Sequence, residues 1–483
     1  MTMVRSASRF LAALALAGVS ACGSDEPGET RVAIIATDTD SQQAVLDAAT
    51  AQGLVAFDAR GQVQPALAES WHVSDDGRSY IFRLARGEWS GGEPIKAGDV
   101  AAAIRRALED APYYDSLGAV DDVVAMTERV IEIRLREARP HLLQLLAQPA
   151  MAIRLEDKGS GPFMLGESED GEADRASTHL MRQSRNQYDE ITGTERVHID
   201  FEDARAAIAA FVGGDAELVL GGTFASLPLV RDAGVPRTAL RYDPVAGLFG
   251  LRPTGTSVIA TNEEARRILS RSIDRAGLID ALGVPALAPR TTLLQDGIDL
   301  PRAPLPPQWA GGNDEAREGA AAAWRALFAT DEDAPPQVVG IALPEGPGAD
   351  ILLERLREDW RPLGLDVQRV EPDAADFILI DEVAPSSSAA WFPRRLTCTY
   401  ADICDPEIDD LLDAGRNAAI VAQRHAILLD AGARIDAAAL FIPLTAPIRW
   451  SLVGPSITGF AENTFARHPL TGLKAPLAPE IAR

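Results

Sequence analysis

Positive charge is scarce in this sequence. Its 483 residues carry 46 Lys and Arg against 71 Asp and Glu, a net charge of −25. A chain of that sign repels phosphates, so nucleic-acid binding driven by Lys and Arg contacts is excluded. The acidity itself serves solubility. Motifs for chemistry are missing too: there is no G-x-S-x-G elbow and no H-E-x-x-H helix. The histidines (His72, His141, His179, His198, His425 and His468) are far apart in sequence, which favours surface or structural roles over metal ligation. The turn Gly159-Ser160-Gly161-Pro162 lacks the Lys-Ser/Thr pair with which a P-loop grips phosphate. Carboxylate pairs are so common in a chain this acidic that none marks an acid–base couple. No catalytic set, metal site or cofactor is expected.

Cysteine is scarce as well, confined to Cys22, Cys398 and Cys404, and long apolar runs are nearly absent. The one near the start, 10–19 (FLAALALAGV), is too short to span a membrane comfortably and follows the basic residues Arg5 and Arg9. With Val19-Ser20-Ala21-Cys22 behind it, 1–21 reads as a lipoprotein signal peptide, and Cys22 as the lipidated first residue of the mature chain. The alternative is an ordinary signal peptide with an incidental cysteine. The polar segment 22–30 then serves as a tether. In an exported protein Cys398 and Cys404 are expected to form a disulfide, with two buried thiols as the alternative. No histidine lies at ligand spacing from the pair, so zinc is not expected there.

Apolar residues make up 46% of the chain, enough for two or three domains with real cores. The run 31–37 (RVAIIAT) predicts a buried first strand. Ligands of open α/β sheets sit beyond the carboxyl ends of strands, which makes Thr37 and Asp38 candidates for a binding cleft; a helix N-cap is the other reading of Asp38. In 79–85, Tyr80, Phe82 and Leu84 share one face of a strand, and Ile131, Ile133 and Leu135 repeat that period. Asp99 stands as N-cap of a helix whose stripe is Val100, Ala103, Ile104, Ala107 and Leu108. Helices are predicted over 201–211, 263–282, 315–327 and 350–363. Short strands fall at 338–343, 365–367 and 376–380, an alternation that marks a second α/β lobe.

Between positions 65 and 100, Pro65, Leu67, Ala68, Glu69, Ser70, Trp71, Asp76, Gly77, Phe82, Leu84, Trp89, Gly92, Pro94, Asp99 and Val100 stand in an order that resembles the signature of the family 5 extracellular solute-binding proteins. These are the dipeptide, oligopeptide and nickel receptors of ABC importers. Gly159 to Phe163, Arg185 to Tyr188, Gly213 to Val219 and Arg271 to Arg275 resemble further landmarks of that family. The resemblance implies a two-lobed α/β periplasmic-binding-protein type II fold (cluster C) with an extra α+β domain inserted in lobe I. Residues 31–52, 158–250 and 452–483 would form lobe I, 53–157 the extra domain and 251–451 lobe II. It also implies a monomer held in the periplasm by a lipid anchor in a bacterial envelope membrane. Such a receptor captures a peptide or other small polar solute between its lobes and presents it to ABC permease subunits, without chemistry of its own. The family's dipeptide-receptor branch carries a small disulfide in the region of Cys398 and Cys404.

Peptide-binding members have a "gWxgDxxDP" segment after the strand matching 376–380, and its Asp holds the peptide ammonium. Here that place reads Asp381-Glu382-Val383-Ala384-Pro385, without the Trp or the Asp-Pro. Arg252 stands near a position usually held by Asn. Arg252, Asp381, Glu382 and Trp391 are therefore the candidate cleft residues; Asp381 or Glu382 would substitute for the missing Asp, while Arg252 in place of Asn points toward an anionic or larger polar ligand. An inter-lobe salt bridge is the other reading of Arg252, and core packing that of Trp391. The missing Asp-Pro also leaves open a degenerate relative that acts in envelope interactions or sensing without transport.

Overall fold

The computed structural model describes residues 28–109, 117–166, 177–185, 190–302, 304–310, 314–328, 335–418 and 420–475. Cys22, its leader, and Asn186 to Tyr188 lie outside them. Among the described residues no helix is long and apolar enough to cross a membrane.

Three sheets carry the architecture, alongside a two-stranded ribbon of β2 (Val55–Phe57) and β3 (Val63–Pro65). The first sheet has seven strands, in the order β12 (Leu240–Tyr242), β18 (Arg449–Val453), β11 (Leu218–Thr223), β1 (Glu29–Ile35), β10 (Ile191–Glu202), β9 (Ser177–Arg185) and β8 (Met164–Leu165). β1 runs parallel to both of its neighbours. Side chains alternate across it: Val32 and Ile34 join one apolar cluster, Ala33 another, so both faces of the sheet are covered.

A four-stranded antiparallel sheet follows, ordered β4 (Ala68–Val73), β5 (Ser79–Leu84), β7 (Val130–Leu135) and β6 (Val120–Thr127). Its buried face is the one the alternation predicts: Tyr80, Phe82, Leu84, Ile131, Ile133 and Leu135 are all 5% exposed or less. Helix Ala97–Glu109 packs on it through Val100 and Ile104. That helix begins two residues before Asp99, and the Val100 amide donates to the Lys96 carbonyl, so Asp99 stands in the first turn and not at the cap.

The third sheet has five strands: β15 (Leu365–Arg369), β14 (Gln337–Ala342), β16 (Phe377–Val383), β13 (Gly247–Pro253) and β17 (Ile442–Thr445). It too is covered on both faces, with Phe249 and Leu251 in the cluster shared with the first sheet and Leu248 in a separate one. The two sheets are joined by two crossovers, 243–246 from β12 to β13 and 446–448 from β17 to β18. Near them the lobes meet closely. Phe224 sets its ring edge-on to Phe249 at 4.8 Å, and Gly348 lies so near that a Cβ would fall 1.9 Å from the Phe224 carbonyl oxygen.

Several elements differ from expectation. Phe201 belongs to β10, and the following helix runs Ala204–Gly213 because Asp203 caps it, accepting from the Arg205 and Ala206 amides. The helix expected over 263–282 is two, Glu263–Ser272 and Arg275–Leu282. Asp274 breaks it by accepting from the Gly277 amide as a new N-cap, which turns Ala276 to solvent. β16 continues to Val383 because its partner β13 continues to Gly247, so Asp381 and Glu382 lie within the strand.

Candidate functional site

Strand pairing places Asp381 opposite Phe249, and Phe249 opposite Thr445, beside both crossovers. There the Asp381 carboxylate accepts from Arg449 Nη1 at 2.8 Å, and Arg449 Nη2 donates to the Asp381 carbonyl at 3.0 Å. Arg449 belongs to the seven-stranded sheet, so this pair ties the two lobes where the chain crosses between them. Burial pushes the Asp381 carboxyl above its ordinary value, against the pull of the Arg449 guanidinium.

The other nominated residues are dispersed. Glu382 pairs with Arg395 at 2.6 Å, and Arg395 lies over the Tyr400 ring. Arg252 donates to the Tyr400 carbonyl, so it is tied within the second lobe and not across the lobes. Cys398 and Cys404 are joined as a disulfide close by. Trp391 is half-buried against Phe392 at the start of helix Trp391–Arg394. Thr37 is exposed, and Asp38 caps helix Thr39–Thr50, accepting from the Ser41 amide at 2.8 Å.

Where the four-stranded unit faces the second lobe, the two are in direct contact. Gln148 Nε2 donates to the Pro385 carbonyl at 2.5 Å. The Ser387 amide donates to Gln144 Oε1 at 2.9 Å, and His141 Nε2 lies 3.0 Å from Asp299 Oδ2. Burial would raise the Asp299 carboxyl, but His141 and the Ala389 amide hold it below its ordinary value.

Beside these contacts lies a small cavity of about 40 Å³ lined by Arg139, Arg394, Arg416 and Arg424, with Leu412 and Leu428 among its apolar walls and no carboxylate among the described lining residues. Arg139 comes from the four-stranded unit. Arg394 ends a one-turn helix, Arg416 ends helix Pro406–Arg416, and Arg424 opens helix Val421–Ala437. Arg139 Nη2 donates to the Arg416 carbonyl at 2.9 Å, and Arg424 reaches Ser388 Oγ at 3.3 Å. Burial, and after it the charges of Arg424, Arg416 and Arg394, push the Arg139 guanidinium down to about 10. Arg139 and Arg424, with Arg394 and with Arg416 (itself paired to Asp413 Oδ1 at 3.4 Å) beside them, form a positive site in a chain of net charge −25, and such a site favours an anion.

None of the residues nominated from the sequence lines this cavity. The only local signal was the placement of Arg394, Arg416 and Arg424 on consecutive helices of an acidic chain. Nothing in the sequence brings Arg139 to them, since it is more than 250 residues away.

A model of the bacterial extracellular solute-binding proteins, family 5 Middle, matches residues 62–393. Among curated relatives, the probable deoxycholate-binding periplasmic protein YgiS of Escherichia coli (strain K12) is 34% identical over 21% of this chain and 23% of its own length. Heme-binding protein A of Haemophilus influenzae is 24% identical over 65% of this chain and 63% of its own. The chain thus aligns with less than two thirds of the length of either. A crystal structure of Haemophilus influenzae OppA in complex with the peptide RPPGFSPFR superposes with TM-score 0.73 at 17% identity, covering 91% of this chain and 97% of that one. The likeness establishes the two-lobed type II binding-protein fold.

Proposed function

The chain belongs to the bacterial extracellular solute-binding proteins of family 5, and from that premise we propose that it is an extracytoplasmic receptor that captures a small polar solute bearing an anionic group and hands it to an ABC permease. The observation that carries the ligand class is the arginine-lined cavity between the four-stranded unit and the second lobe. A half-buried cluster of like charges repels itself when empty and is stabilised when an anion enters, which gives the ligand leverage over how the two sides meet. Gln144, Gln148 and His141 close the rim from one side onto Ser387, Pro385 and Asp299 on the other. Closure of two lobes around a solute creates one continuous surface for a permease to read. Relatives are named for deoxycholate, heme, nickel and di- or tripeptides, so the charge of the cargo rests on the cavity and not on those names. The protein performs no chemistry on it.

Native mass spectrometry of protein purified from its own envelope tests this reading. The expected result is a small anionic solute retained at one per chain. If nothing is retained, and a panel of carboxylated and phosphorylated solutes leaves the thermal midpoint unmoved, the capture reading fails and an envelope-interaction role takes its place.

Anchoring through Cys22 belongs to the same proposal. A Cys22→Ala variant should move from the membrane fraction to the soluble periplasmic fraction. Retention of that variant on membranes at the wild-type level would remove the lipid anchor from the account.

A further inference from the structure

Across the β9–β10 ladder His179 and His198 stand directly opposite each other, and in the β1–β10 ladder Glu29 pairs with Arg196 while Arg31 pairs with His198. Residues two apart on a strand share a face, so Glu29 falls on the same side of the sheet as the two imidazoles. The side chains meet there. Glu29 Oε1 is 2.9 Å from His179 Nδ1, and His198 Nδ1 is 3.2 Å from His179 Nε2. One ligand atom from each of the three groups lies within 4.8 Å of the others.

The far side of His198 fixes its chemistry. Its Nε2 lies 3.1 Å from Asp200 Oδ1 and 3.2 Å from Ser177 Oγ. A neutral imidazole has one N–H, and a carboxylate at that distance takes it. Nδ1 is then left with a lone pair aimed at the His179 ring. A carboxylate behind one ring nitrogen, with the other nitrogen facing a second imidazole and a second carboxylate, is the arrangement that orients histidine as a metal ligand.

We propose that Glu29, His179 and His198 bind a divalent first-row transition ion, with Zn²⁺ the best match to two imidazoles and one carboxylate, and that Asp200 is a positioning residue for His198. Three protein ligands leave the fourth tetrahedral position to water, and His179, 52% exposed at its side chain, leaves the site reachable from solvent. The ion would tie the first residue of β1 to the β9–β10 hairpin; that residue falls within the segment 22–30 expected as a tether, whose last two residues the structure places in the strand. None of these residues lines the arginine cavity, so the inference is independent of the solute reading.

The test is a Zn²⁺ titration of the EDTA-stripped mature protein, by calorimetry and by competition with a chromophoric chelator. The expected result is one high-affinity Zn²⁺ per chain and a thermal midpoint that rises with Zn²⁺. Glu29→Gln, His179→Ala and His198→Ala should each weaken binding more than about 10-fold, since each removes one of three protein ligands. Asp200→Asn should weaken it roughly 10- to 100-fold, as loss of an outer-shell carboxylate does. Because His179 is half exposed, His179→Ala is expected to fold with an unchanged metal-free midpoint, which keeps the comparison interpretable. Equal Zn²⁺ affinity in the wild type and His179→Ala would overturn the proposal, and the contacts would then be a proton shared between Glu29, His179 and His198.

Discussion

Replacing Arg139 and Arg424 together by methionine should weaken solute binding by roughly 10²- to 10⁴-fold, because each charge-assisted hydrogen bond to an anion is worth about 1.5–3 kcal/mol. Methionine keeps an apolar stem of similar reach and removes only the guanidinium, so the loss reads the charge and its fork of donors. The ligand-free protein should respond far less. Arg139 is held among three other guanidinium groups, and removing it relieves that repulsion while giving up its hydrogen bonds to the Ala138 and Arg416 carbonyls. Net stability without ligand should therefore change by no more than about 1 kcal/mol. Lysine at both positions should recover part of the affinity, since it restores the charge but not the planar pair of donors. Calorimetry with the solute recovered by mass spectrometry, alongside urea unfolding of the ligand-free chains, separates these effects. A double methionine variant that binds as the wild type does would show that the cavity is not where the solute sits.

A second large effect is expected with pH, centred on Asp436. Its side chain is buried, Oδ1 accepts from the Leu293 amide at 2.8 Å, and Oδ2 has no hydrogen-bond partner among the described residues. Burial pushes its carboxyl up to about 8, against the pull of that one amide. Its place in the last turn of helix Val421–Ala437, where unpaired carbonyls gather, is also unfavourable to a negative charge. Below about pH 4 the group is protonated in both folded and unfolded chains. Between about 4 and 8 the unfolded chain releases the proton and the folded one retains it, so stability falls as pH rises. Above about 8 both states are ionised and the loss is complete. At about 1.4 kcal/mol per unit, the fall totals at most about 6 kcal/mol. Asp436→Asn keeps the acceptor for Leu293 and cannot ionise, so the stability difference between about pH 5 and pH 8 should shrink by several kcal/mol, measured by urea unfolding. An unchanged slope in the variant would show that Asp436 enters the fold ionised.

Local patterning in the chain foretold the four-stranded sheet well, and for a physical reason. A strand with one wet face must alternate, and Tyr80, Phe82 and Leu84 do so without interruption. The residues that carry the family signature are largely packing residues: Leu67, Ala68, Phe82, Leu84, Trp89 and Val100 are all buried. They report architecture. The fully covered sheets were harder to delimit, because a buried strand and a buried helix both read as apolar runs. Phe201 was assigned to a helix on that ground, although Asp203 marks the true start. The His179–His198 meeting was illegible because it depends on the register of two strands, and register is a tertiary property. The arginine cavity was illegible for the same kind of reason, assembled as it is from positions 139, 394, 416 and 424. Departures from the family pattern pointed instead to Asp381 and Glu382, which the structure pairs with Arg449 and Arg395.

The position of the Asp381–Arg449 pair has a mechanical meaning. A rotation of one lobe about the two crossovers moves each atom in proportion to its distance from that axis. Asp381 and Arg449 stand beside the axis, so their lever arm is short and the bond can persist through the swing. Gln148 to Pro385, Gln144 to Ser387 and His141 to Asp299 join the four-stranded unit to the second lobe away from the crossovers in sequence, where the same rotation would draw partners apart. In such a rotation the first pair would work as a pin and the others as a latch. Weakening the latch would change how often the protein opens, while weakening the pin would change whether it swings about one axis at all.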